Sequence, residues 1–90
     1  MKNIEIIPIA KGKLERRKIT NDWIIEAINY PGQIVEGYGG RKVAQRKYKI
    51  DGKEYLLRVI YEENEQEVIV LTAYLTSQIK RYWKEMRDEN

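Results

Sequence analysis

The chain contains no cysteine and no histidine among its 90 residues. The first absence excludes disulfides and thiolate metal sites, and the second removes the commonest general base and the commonest metal-ligating side chain. Any catalysis must therefore run on tyrosine, lysine, arginine or carboxylates, and no residue set calls for a metal or a cofactor. Long apolar runs are also missing. Nothing approaches the roughly 18 apolar residues of a membrane span, so no membrane partner is expected. The first residues lack the basic, apolar and small-residue succession of a signal peptide, which makes the cytoplasm the expected location.

The chain does carry hydrophobic residues at 42% and charged residues at 34%. That is too much apolar material for a disordered chain and too much charge for a membrane protein. Ninety residues fit one hydrophobic core, so residues 1–90 are expected to form a single domain. The net charge of +3 hides an asymmetry: residues 1–50 hold eleven Lys/Arg against five Asp/Glu, and residues 51–90 hold six against nine. Basic charge gathered toward the front suits a polyanion such as RNA, or an acidic protein, although Lys and Glu in excess also serve solubility.

Residues 4–9 are mostly β-branched and form a possible short strand, with Pro8 limiting it to an edge or an end. Residues 10–18 favour helix, and Thr20 then offers an N-cap to a second helix whose Trp23, Ile24, Ala27 and Ile28 share one face before Pro31-Gly32 ends it. Strand signals follow over 33–38, 41–50, 54–61 and 67–74. They are punctuated by Gly39-Gly40, by Asp51-Gly52, which is a strong hairpin signal, and by polar residues 62–66. Thr76 or Ser77 could cap a last helix carrying Ile79, Tyr82, Trp83 and Met86 at helical spacing, ahead of a frayed acidic tail over 88–90. Trp23 and Trp83 are expected in the core. The expected architecture is α+β: two N-terminal helices, an antiparallel curved sheet of three or four strands in a meander, and a C-terminal helix.

Four groups of residues could carry chemistry. Arg58 shares a strand face with Leu56 and Ile60, while Tyr55, Leu57, Val59 and Tyr61 fall on the other. It must either pair with a carboxylate such as Glu67 or Glu36, or face a groove where its fork suits a phosphate. Arg41, Lys42, Arg46, Lys47 and Lys49 make a basic strand with Gln45 and Tyr48, a composition suited to RNA or to an edge that resists aggregation. Arg16, Arg17 and Lys18 close the first helix, where positive charge complements the helix dipole and phosphate alike. Tyr74, Thr76, Ser77, Lys80 and Arg81 lie where the last strand meets the last helix and could converge on an anion, or simply cap and solvate that junction.

Ribonuclease chemistry needs an acceptor for the 2′-hydroxyl proton, cations for the phosphorane and a donor for the leaving 5′-oxygen. This composition permits it without histidine. Five segments, Leu14-Glu15-Arg16-Arg17-Lys18-Ile19, Tyr30-Pro31-Gly32-Gln33-Ile34-Val35-Glu36, Tyr38-Gly39-Gly40, Leu57-Arg58-Val59-Ile60 and the run from Thr72 to Trp83, together resemble the bacterial family known as domain of unknown function 4258. That family is distantly similar to the RelE and ParE superfamily of toxins. The resemblance implies a RelE-like fold and a metal-independent endoribonuclease of the mRNA interferase kind. It also implies RNA, including ribosome-bound mRNA, and a cognate antitoxin protein as partners. By position it gives Arg58 the phosphate and places Tyr74, Lys80 and Arg81 near the catalytic cluster; the basic residues Arg16, Arg17, Arg41, Lys42, Arg46 and Lys47 are then expected to bind RNA. Members usually carry a histidine followed by alanine where this chain has Ile9-Ala10. The alternative is therefore an inactive RNA- or protein-binding module of the same fold.

Overall fold

The computed structural model describes residues 2–85. The chain runs β1 (Asn3–Ile6), α1 (Pro8–Arg16), α2 (Asn21–Asn29), β2 (Gln33–Glu36), a 3-10 turn (Tyr38–Gly40), β3 (Lys42–Ile50), β4 (Lys53–Glu63), β5 (Glu67–Thr76) and α3 (Ile79–Tyr82). The expected α+β class holds, but the sheet has five strands in the order β1-β5-β4-β3-β2 and is mixed. The expected meander accounts for β2 through β5, all paired antiparallel. The possible strand over 4–9 is present as β1 at the sheet edge, and the addition is its pairing, parallel to β5 from Asn3 against Glu67 to Ile6 against Val70.

Local chemistry explains the element ends. Pro8 opens α1 instead of ending a strand, because the first helical position needs no N–H and tolerates the fixed φ of proline. The helix closes with Lys18 N–H donating to the Glu15 carbonyl and Ile19 N–H to that of Leu14, a Schellman motif in which Lys18 takes the left-handed φ of 60°. Ile19 and Leu14, the apolar pair that usually accompanies this motif, are both buried. Thr20 caps α2 as expected, its Oγ1 accepting from Trp23 N–H at 3.2 Å. Asp51 and Gly52, with φ of 51° and 78°, make the tight hairpin between β3 and β4. Asn64 organises the next turn by accepting from Gln66 and Glu67 N–H.

Both N-terminal helices pack on one face of the sheet. Leu14, Ile19, Ile24 and Ala27 meet Ala44, Leu57, Val59, Tyr61, Val68, Val70 and Ala73 there. Ile24, Leu57 and Val59 are fully buried, each worth roughly 1.5–3 kcal/mol relative to exposure. Trp23 packs at the margin of this core and stacks on Tyr48 with ring centroids 4.6 Å apart. Trp83 does not join it.

The last helix is the main departure. A stripe of Ile79, Tyr82, Trp83 and Met86 predicts several turns, yet α3 is a single turn, and Trp83 already has extended backbone at φ −77° and ψ 123°. Neither Thr76 nor Ser77 caps it; Thr76 is the last residue of β5, its Oγ1 accepting from Gln78 N–H, and Gln78 is the N-cap. Met86 and the tail over 88–90 lie outside the described residues. The α3 segment crosses the sheet face opposite the two longer helices. That accounts for Leu56, which shares Arg58's face and is nevertheless fully buried. No helix among the described residues is long and apolar enough to cross a membrane.

Candidate anion site around Arg58

Strand register puts four polar side chains in one row across four strands: Gln33 opposite Gln45, Gln45 opposite Arg58, and Arg58 opposite Tyr74. The row lies on the face away from α1 and α2, since Leu57 and Val59 point the other way. The hydrogen bonds run along it. Gln45 Nε2 donates to Gln33 Oε1 at 3.0 Å, Arg58 Nε donates to Gln45 Oε1 at 2.6 Å, and Arg58 Nη1 donates to Tyr74 Oη at 2.5 Å. The Tyr82 ring covers the guanidinium at 4.1 Å and meets Tyr74 edge-on.

Arg58 therefore has no ion pair with Glu67 or Glu36, the carboxylates expected for it, nor with any other among the described residues. Neutral acceptors orient its guanidinium and leave the charge uncompensated. A half-buried cation held in this way attracts an anion more strongly than one already paired. Because the Tyr74 oxygen accepts from Arg58, its own O–H is free to donate elsewhere. Gln45, the one fully buried polar residue among those described, is expected from sequence as a polar member of the basic strand but not as the partner of Arg58. Its signal is nevertheless there: a glutamine in register with an arginine between apolar strand positions.

The C-terminal segment is fastened to the same row. Gln33 accepts from Lys84 N–H at 2.9 Å and donates to the Lys84 carbonyl at 2.5 Å, so a side-chain amide holds the backbone as a neighbouring strand would. Gln45 Nε2 also reaches the Tyr82 carbonyl at 3.3 Å. These hydrogen bonds explain why the helix stops after one turn.

The basic strand divides by parity. Lys42 and Arg46 fall on the helix side, where Lys42 pairs with Glu63 at 2.9 Å and Arg46 lies 3.6 Å from Glu26 and donates to the Tyr30 carbonyl at 2.5 Å. Lys42 and Lys2 share Glu63; the two hydrogen bonds hold its carboxyl below the ordinary range and raise the Lys42 ammonium. Arg41, just before the strand, pairs with Glu62 at 3.3 Å. Lys47 and Lys49 instead share the face of Arg58 and have no carboxylate partner among the described residues. Lys47 lies over the Trp83 ring at 4.3 Å.

Lys80 and Arg81 line the same groove as Lys47. Arg81 donates to Gln78 Oε1 at 3.3 Å and does not reach Arg58's row. Arg17 works at the sheet edge: it donates to the Ala73 carbonyl at 2.7 Å, beyond the point where β1 ends. Arg16 is exposed on the helix side. Ile9, at 72% exposure in the first turn of α1, also stands on the helix-bearing side, so a histidine there would not face Arg58.

No curated protein and no solved structure matches the chain. A family model, Domain of unknown function (DUF4258), matches residues 10–75. The match covers well over half of the chain and contains Gln33, Gln45, Arg58 and Tyr74, whereas Tyr82 and the segment over the row lie beyond it. By that match the chain belongs to the family Domain of unknown function (DUF4258).

Proposed function

We propose that this chain binds RNA through Arg58 and acts as a metal-independent, RelE-like endoribonuclease, the toxin of a toxin-antitoxin pair. One observation carries the proposal: a half-buried guanidinium oriented by an amide and a phenol, with no carboxylate among the described residues to neutralise it. In this reading Arg58 holds the scissile phosphate and meets the charge that builds on the phosphorane oxygens. The 2′-hydroxyl gives up its proton to solvent water as its oxygen attacks phosphorus and the bond to the 5′-oxygen breaks, giving a cyclic phosphate and a 5′-hydroxyl. Tyr74 donates the proton the leaving oxygen needs. Its hydroxyl adjoins Arg58 and keeps its hydrogen unshared with that neighbour.

A second reading, an RNA-binding module without cleavage, is favoured by Ile9 where the family usually carries histidine, and by the lack of a histidine base anywhere in the chain. One experiment separates the two. Purified protein is incubated with mRNA in EDTA, with and without ribosomes, and the cut ends are mapped beside Arg58→Ala. Cleavage that the variant loses supports the nuclease. RNA binding that depends on Arg58 without cleavage supports the module, and cleavage at full rate by Arg58→Ala overturns the site.

A further inference from the structure

Beside the Arg58 row, the end of the sheet and the α3 segment enclose an open groove of about 1060 Å³. Three cations line it, Lys47 from β3 and Lys80 and Arg81 from α3, together with Ser77 and the carboxylates Glu54 and Glu85. Neither carboxylate forms a salt bridge with any of the three. The Lys47 ammonium rests on the Trp83 ring, which orients it without neutralising it.

The groove continues the candidate site. Lys47 lies two residues along β3 from Gln45, and in the adjoining row Lys47 faces Leu56 and Leu56 faces Thr76. Two residues of strand advance about 7 Å. A ligand anchored on Arg58 and running toward α3 therefore presents its next charge in the groove that Lys47, Lys80 and Arg81 line. A compact anion would not need this length. An extended polyanion with one charge per unit and apolar rings between charges would, and cations beside an aromatic ring suit it.

We infer that this groove is a second phosphate subsite, taking the nucleotide next to the one held by Arg58 in a single-stranded oligonucleotide. The inference rests on the reading of Arg58 as a phosphate anchor. Glu54 and Glu85 fit the amino edges of bases and disfavour a phosphate at their own positions, so the phosphate belongs nearer the three cations.

The test uses 2′-deoxy ligands, which lack the attacking hydroxyl, and the whole chain. A dinucleoside monophosphate and a longer single strand are titrated into wild type, Arg58→Ala and the double variant Lys47→Ala/Lys80→Ala, with backbone amide shifts and salt dependence recorded and circular dichroism confirming the fold. The expected result is that the double variant binds the dinucleoside like wild type but loses the gain in affinity with length. Its salt slope should become shallower by roughly 0.7 for each phosphate that is no longer neutralised. A double variant that keeps both the wild-type length dependence and the wild-type salt slope overturns the subsite and leaves Arg58 untouched. Wild type that binds neither ligand, or binds both without need of Arg58, overturns the underlying reading instead.

Discussion

Gln45 and Arg58 face each other across β3 and β4, and the buried amide oxygen takes the guanidinium Nε at 2.6 Å. A carboxylate at this position would satisfy the same donor and also cancel its charge. Gln45→Glu should therefore lose RNA binding, and should also lose about 1–3 kcal/mol of stability, because its carboxylate cannot donate to Gln33 Oε1 and the Tyr82 carbonyl as the Gln45 amide does. Gln45→Leu should lose about 1–3 kcal/mol, because Arg58 Nε is left without a partner. Urea unfolding and RNA titration of the two variants check this. Undiminished RNA binding by Gln45→Glu would show that the charge of Arg58 is not used.

Tyr74→Phe removes the acceptor of Arg58 Nη1 and the hydroxyl proton together. The expected cost in stability is about 1.5–3 kcal/mol, the range for a hydrogen bond to a charged group, with RNA still bound and cleavage lost. Single-turnover cleavage at the wild-type rate would exclude Tyr74 as the proton donor.

Tyr48 gives the fold an alkaline limit. Burial first, and then its hydrogen bond to Glu26, push its hydroxyl up to about 12. Since the folded value lies above the ordinary value near 10, the stabilisation is complete below roughly pH 10 and is lost as pH rises toward 12. Tyr48→Phe should flatten this loss, and urea midpoints measured across that window would reveal it.

Lys18 holds a left-handed conformation that glycine adopts freely. Lys18→Gly should stabilise the chain by roughly 1 kcal/mol, raising the melting temperature by about 4–8 °C for a domain of this size. A lower melting temperature would mean that the Lys18 side chain contributes more than its backbone costs.

Gly32 lies beneath Trp83, and a Cβ there would come within 2.9 Å of the Trp83 ring and 3.3 Å of the Gln45 carbonyl. Gly32→Ala should displace Trp83 and loosen the segment over the Arg58 row, leaving the core intact. Tryptophan fluorescence should change while the amide circular dichroism does not.

Residues with local signatures are legible in the sequence. Thr20, Asp51-Gly52 and the β-branched run of β5 each place an element, and alternation puts Arg58 on the face of Leu56 and Ile60. Partners set by tertiary packing are not legible. The stripe of Ile79, Tyr82 and Trp83 is helical in spacing, but the backbone is already extended at Trp83, and Gln33, from a distant strand, holds Lys84 and ends the helix early. Sequence leaves Arg58 either a carboxylate partner or a groove that takes a phosphate; strand register instead brings it an amide and a phenol. The basic strand reads as one patch, although its two-residue period sends Lys42 and Arg46 to one side and Lys47 and Lys49 to the other.

The parallel pairing of β1 with β5 has a kinetic consequence. The hairpins of β3, β4 and β5 close over short loops, but Asn3 meets Glu67 only after nearly the whole chain has been drawn together. Loop closure on that scale is entropically slow, and parallel pairing gains little until its neighbour strand exists. The β1 residues are thus the last of the sheet to dock, and their amides should be the earliest in the sheet to exchange with solvent.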